Sequence, residues 1–126
     1  MPKPAKILVV EDQVLLLLDL VDQLAEHGFD ALPLTTADGA AESLLRTRID
    51  GLVTDIDLPG TMTGLDLARR CAEIQPGLPI VVVSGGHHPR AEELPAGAVF
   101  LPKPYSIEQV LTGLAITTPA GSTVAA

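Results

Sequence analysis

Five short apolar runs punctuate this chain, and stretches of helical periodicity separate them. The runs are Lys6–Val10, a weaker one at Phe29–Leu34, Leu52–Val53 leading into Thr54-Asp55, Pro79–Val83, and Ala98–Leu101. Three are rich in Val and Ile with no polar alternation, the pattern of strands covered on both faces. Pro33 cannot donate to a ladder, so the second run reads as an edge strand or a strand end. Between the runs, Leu15–Glu26 carries Val14, Leu17, Leu18, Val21, Leu24 and Ala25 at helical spacing, with Gly28 as its stop. Thr36 can cap a helix over Ala37–Arg46 whose apolar positions include Ala40, Ala41, Leu44 and Leu45. Thr63-Gly64-Leu65-Asp66 and Ser106-Ile107-Glu108-Gln109 are capping boxes that open two more helices. The first of these ends near Gln75; the second carries Ile107, Val110, Leu111 and Leu114 on one face.

Strands alternating with helices, about five of each, predict an α/β fold with helices on both faces of a parallel sheet. The expected architecture is a doubly wound five-stranded sheet of order 2-1-3-4-5, flavodoxin-like. Pro89, Pro95 and Gly97 crowd the segment after the fourth strand, so any helix there, around Arg90–Leu94, is expected to be short or irregular. The expected organisation is an N-terminal extension over residues 1–5, one folded domain over 6–116, and a disordered tail over 117–126.

Composition narrows the partners. A net charge of -8 argues against direct binding to nucleic acid or to an anionic membrane, because both require a positive patch. The longest apolar run, Val14–Leu18, is too short to span a bilayer, and no signal-peptide core follows Met1. Cys71 is the only cysteine and falls within a helix, which suits a small buried residue in a reducing compartment. These features lead us to expect a soluble cytoplasmic protein.

The ends of the strands carry the chemistry. The first ends in Glu11-Asp12, the third in Asp55 with Asp57 two positions on, the fourth in Ser84-Gly85, and the fifth in Lys103. Each alone is an ordinary turn or cap residue. In a parallel sheet they meet at the carboxyl edge, where ligands bind in open α/β folds. Clustered carboxylates repel one another, and a divalent cation relieves that repulsion. Hard oxygen ligands with water completing the shell suit Mg²⁺. A carboxylate ringed by a metal ion, a lysine and a hydroxyl has what phosphoryl transfer needs.

The stretches Ile7–Asp12, Asp55-Ile56-Asp57-Leu58-Pro59-Gly60, Val83-Ser84-Gly85 and Lys103-Pro104-Tyr105, in this order, resemble the receiver domain of two-component response regulators. The resemblance covers roughly Lys6 to Leu114. It implies that Asp55 accepts a phosphoryl group from a phosphohistidine on a sensor histidine kinase or histidine phosphotransfer protein. It implies Mg²⁺ bound by the side chains of Asp12 and Asp55, by Glu11 directly or through water, and by the backbone carbonyl of Asp57. Ser84, with Gly85 beside it, and Lys103 would meet the phosphoryl oxygens. Phe100 would be the aromatic switch that fills the space Ser84 leaves, and Lys103-Pro104 would be a cis peptide. Such a protein catalyses only its own phosphorylation and dephosphorylation and is not otherwise an enzyme.

Some features set this chain apart. The loop Gly60–Thr63 is one residue longer than is commonest in the family, and the segment from Ser84 to Lys103 is shorter, as in receivers associated with hybrid sensor kinases. Met1 and the tail suggest a stand-alone chain, monomeric or weakly dimeric, whose output partner the sequence does not name. Leu15, Leu16 and Leu20 are extra to the apolar stripe of the first helix. They form either a docking patch for the phosphodonor's helices or part of a deeply buried helix. His87-His88 would chelate one ion poorly and reads as a solvated loop. Three rivals remain. A phosphatase of the haloacid dehalogenase type would use Asp55-Ile56-Asp57, but that motif normally lies on the first strand and the chain lacks room for a cap. A receiver-like interaction module without phosphorylation would not need the full set Asp12, Asp55, Ser84 and Lys103. A flavodoxin-like mononucleotide binder would need a phosphate-cradling loop where Glu11-Asp12 stands.

Overall fold

The computed structural model describes residues 3–115. In chain order the elements are β1 (Lys6–Val10), α1 (Val14–Glu26), β2 (Asp30–Leu34), α2 (Ala37–Leu44), β3 (Gly51–Asp55), α3 (Gly64–Ile74), β4 (Ile80–Ser84), β5 (Val99–Pro102) and α4 (Ile107–Ala115). All strand pairs are parallel, and the sheet order is β2-β1-β3-β4-β5. That is the expected topology, with β2 and its Pro33 on the edge. The tail, residues 117–126, and the expected domain end at 116 lie outside the described residues.

Alternate residues of each strand face opposite helical layers, as the two-residue period of a strand requires. Leu8, Val10, Leu52, Ile80 and Val82 pack under α2 and α3 with Ala40, Leu67 and Cys71. Ile7, Val9, Val53, Val81 and Val83 pack under α1 and α4 with Leu17, Leu24, Val110 and Leu114. Every residue of β3 and β4 is buried, which is why these runs show no polar alternation. Both capping boxes form. Thr63 Oγ1 accepts the Asp66 N–H while Asp66 accepts the Thr63 N–H, and Ser106 and Gln109 do the same. Hydrogen bonds from Thr63, backbone N–H first and side-chain hydroxyl second, hold the Asp66 carboxyl below its usual range.

The β4–β5 segment is short and irregular, as expected: among the described residues there are four α-helices, and this segment holds only a 3₁₀ turn at Ala91–Glu93. Pro89 and Pro95 bracket that turn too closely for a longer helix. In α1 the buried stripe is Leu17, Leu20 and Leu24, so Leu20 belongs to the core, while Val14, Leu18 and Ala25 are exposed. Five consecutive apolar residues blur the phase of the helix, and only packing resolves it. In α2 the buried face is Ala37, Ala40 and Leu44, and Leu45, one position further round, is exposed.

One close approach fixes the geometry below the site. A Cβ at Gly64 would fall on the carbonyl oxygen of Asp55, so α3 can start this near β3 only with glycine there.

Candidate functional site

The parallel order brings the ends of β1, β3, β4 and β5 to one edge. Glu11 follows β1 and is buried, and its amide donates to the Leu34 carbonyl at 3.0 Å. Asp55 ends β3 and is also buried. Lys103 follows β5, and its amide donates to the Ser84 carbonyl at 2.9 Å, which sets the root of the side chain beside β4. The Lys103 Nζ donates to Glu11 Oε1 at 2.8 Å and to Asp55 Oδ2 at 3.1 Å. The other Glu11 oxygen, Oε2, accepts the Gln13 N–H at 3.1 Å. Burial works against the charge on Lys103, but its bonds to Glu11 and Asp55 and their negative charges prevail, so its pKa is raised. Tyr105, close by, is also raised, by burial first and then by the charge of Glu11.

Glu11, Asp12 and Asp55 each offer a carboxylate oxygen within 4.8 Å of the others. Asp12 is exposed and is the open side of the group. One ammonium faces three carboxylates, so negative charge remains in surplus. A cluster of hard oxygens open to water on one side fits a Mg²⁺ ion. Asp57 is not among the three. Its exposed carboxylate instead accepts a long hydrogen bond, 3.4 Å, from Ser84 Oγ.

Ser84 is fully buried at the end of β4, and its Oγ accepts the His87 N–H at 2.9 Å. Gly85 lies beside it, where an added Cβ would meet Lys103 Cβ at 3.8 Å. Phe100 is half-buried on β5, in register with Val82. The Lys103-Pro104 peptide is cis, as expected.

Two features escaped the sequence reading. His87-His88 lies in a loop with His88 exposed, as expected, but the loop also makes two contacts. The His87 amide binds Ser84, and the His88 ring stands edge-on to Phe100 with centroids 5.4 Å apart and planes at 65°. The β3–α3 loop is tied back to α2, with Thr61 Oγ1 donating to Asp38 Oδ1 at 3.4 Å. Neither leaves a sequence signal, since both pair residues far apart or in an irregular segment.

Leu15 and Leu16 are 83% and 43% exposed, which excludes the deeply buried alternative for them. With Val14 and Leu18 they give the first turns of α1 an exposed apolar surface. Beside it lies a groove of about 390 Å³ lined by Leu16, Leu20, Gln23, Lys103, Tyr105 and Ile107. No described helix is long and apolar enough to cross a membrane. Cys71 is buried, and burial pushes its thiol up to about 12.

The site is thus an acidic trio and a lysine at the carboxyl edge of a doubly wound parallel sheet. The chain matches the response regulator receiver domain over residues 7–115 and belongs to that family. It is 36% identical over 110 residues to the two-component response regulator PhoP of Pseudomonas aeruginosa, covering 83% of this chain and 48% of that protein. It is 32% identical over 113 residues to the sensor kinase CckA of Brucella abortus, covering 86% of this chain and 12% of that protein. Among solved structures, a response regulator receiver protein from Sinorhizobium medicae superposes with a TM-score of 0.83 at 32% identity, covering 90% of this chain and 94% of that one. The chain spans about half the length of the curated response regulators it matches.

Proposed function

We propose that this receiver takes a phosphoryl group from a phosphohistidine onto Asp55 and converts it into a change of partner-binding surface. The observation that supports this best is the Lys103 ammonium bridging Glu11 and Asp55. It stands where the charge of an arriving phosphoryl group must be balanced. In the transfer, the nitrogen–phosphorus bond of the donor breaks as an oxygen–phosphorus bond forms to an Asp55 carboxylate oxygen. The electron pair of the broken bond stays on the imidazole. Glu11, Asp12 and Asp55, with the backbone carbonyl of Asp57, would hold Mg²⁺. Bound there, the ion would neutralise phosphoryl oxygens and orient them for in-line attack.

Asp55 supplies the nucleophile. Its burial and its tie to Lys103 hold one oxygen fixed and leave the other for the phosphorus. Lys103 then passes from pairing with Asp55 to pairing with the new phosphoryl oxygens, helped by a pKa that keeps it charged at neutral pH. The Ser84 hydroxyl donates to the same oxygens, with Gly85 leaving them room, and Phe100 follows Ser84 inward. The apolar surface at Leu15 and Leu16 and the groove beside it would receive the donor's helices, since an exposed aliphatic surface next to the reactive edge is an interface. The donor would be a sensor histidine kinase or a histidine phosphotransfer protein. The protein works as a signalling switch, taking up one phosphoryl group rather than turning over substrate.

The test is incubation of the full chain with a small acyl phosphate, with and without Mg²⁺, read by intact mass. One phosphoryl group per chain, dependent on Mg²⁺ and absent from Asp55→Asn, is the expected result. Steady release of phosphate from a phosphomonoester without a stable adduct would favour the phosphatase reading.

A further inference from the structure

We propose that His88 is a positioning residue for the switch: its ring holds Phe100 in place, and the adjacent amide ties that ring to Ser84. The proposal rests on the Asp55 phosphoacceptor reading above.

Three contacts form one chain from the reactive edge to the aromatic. The Ser84 Oγ accepts the His87 N–H at 2.9 Å. The next residue's ring stands edge-on to Phe100 at 5.4 Å and 65°, the geometry aromatic pairs prefer. Phe100 is half-buried against the α2–α3 side of the core, so it has an outer face for the His88 ring to cover.

The segment between begins at two glycines with open space around them and is tied down at its far end. Gly85 and Gly86 separate Ser84 from His87. A Cβ built at Gly86 meets nothing within 4 Å, and one at Gly85 meets only the Lys103 side chain. At the far end, Arg69 of α3 donates from Nε and Nη2 to the Glu93 carbonyl at 3.2 and 2.9 Å. Glu93 in turn accepts the Arg90 N–H at 2.9 Å, and Leu94 packs on the core. A displacement at Ser84 is therefore taken up between Gly85 and Pro89, where His87 and His88 lie.

A serine hydroxyl has one proton to donate. Ser84 gives it to Asp57 Oδ2 at 3.4 Å while accepting the His87 N–H. When the proton goes to a phosphoryl oxygen instead, Asp57 is released and the Oγ is drawn toward the reactive edge, away from the His87 N–H. The His87-His88 backbone loses its anchor, and the ring edge leaves Phe100. The His88–Phe100 pair thus opposes the switched arrangement, and removing it must favour whatever binds that arrangement more tightly.

The experiment is titration of the full chain with beryllium fluoride and Mg²⁺, a phosphoryl mimic. Binding is followed by fluorescence of Tyr105, the only tyrosine in a chain without tryptophan. Edge-to-face pairs of this kind correspond to roughly a two- to tenfold change in an equilibrium. His88→Ala is expected to bind the mimic tighter by about that factor, and His88→Phe, which keeps a ring edge, to match the wild type. In a Phe100→Leu background, His88→Ala is expected to change nothing. Equal affinity of His88→Ala and wild type, weaker binding by His88→Ala, or an undiminished effect in the Phe100→Leu background would overturn the proposal. Failure of every variant and the wild type to bind the mimic would overturn the phosphoacceptor reading as well, and so is told apart from failure of the His88 coupling alone.

Discussion

Lys103 reaches across 48 positions of sequence to place its ammonium 3.1 Å from the Asp55 carboxylate, while also holding Glu11 at 2.8 Å. This bridge replaces part of the charge balance that a metal ion would otherwise supply alone. Its removal leaves Glu11, Asp12 and Asp55 facing one another without a cation. For Lys103→Met we expect a loss of roughly 2 kcal/mol, below the ~3–5 kcal/mol of a fully buried pair because the lysine is partly exposed. Saturating Mg²⁺ should restore much of the loss, so the variant gains more thermal stability from the ion than the wild type does. The sign with pH follows from the raised lysine pKa. Its contribution is complete below the unfolded value of about 10.4 and fades only as pH rises through the higher folded value. The difference between wild type and Lys103→Met should therefore stay flat from about pH 6 to about pH 10, and shrink only above that.

Gly64 sits so close to the Asp55 carbonyl that an added methyl has nowhere to go. Gly64→Ala should cost several kcal/mol, more than the ~1–3 kcal/mol usual for overpacking, because the opposing atom is backbone. Gly77→Ala, with open space but φ of +86°, should cost only about 1 kcal/mol. Urea denaturation of the pair measures the contrast.

The exposed α1 surface separates docking from folding. Leu15→Glu should change stability by no more than about 0.5 kcal/mol, as for other surface substitutions. It should slow phosphotransfer from a cognate histidine donor at least tenfold while leaving phosphorylation by a small acyl phosphate intact. Leu24→Ala, in the buried stripe of the same helix, should instead cost about 2–5 kcal/mol. Unchanged transfer to Leu15→Glu would remove this surface from the donor interface.

The Cys71 thiol, raised to about 12 by burial, should stay protonated and unreactive at pH 8. A thiol reagent should label it at the rate of unfolding, independent of reagent concentration at high reagent. Fast labelling of the folded chain would show that the α2–α3 layer opens locally.

The sequence displays the sheet well because its central strands are buried on both faces and read as unbroken runs. Ile80–Val83 and Ile7–Val10 could be little else. The capping boxes at Thr63 and Ser106 announce their helices because the side chain and the backbone amide it binds lie three residues apart. The α1 face was not legible. Val14–Leu18 is apolar all round, and only packing tells Leu17 and Leu20 from Leu15 and Leu18. At the site, the residue types could be read from the strand ends, and topology brings Glu11, Asp12, Asp55, Ser84 and Lys103 to one edge. The Asp57 carboxylate engaging Ser84 and the His88 ring on Phe100 depend on side-chain directions in irregular backbone, which no periodicity encodes.

The central proposal is that Asp55 accepts one phosphoryl group at a carboxylate cluster completed by Mg²⁺. Peptide mapping after borohydride trapping of the acyl phosphate tests it most directly. Modification is expected at Asp55 alone, lost when Mg²⁺ is chelated and lost in Asp55→Asn. Modification of another residue, or undiminished uptake by Asp55→Asn, would contradict it.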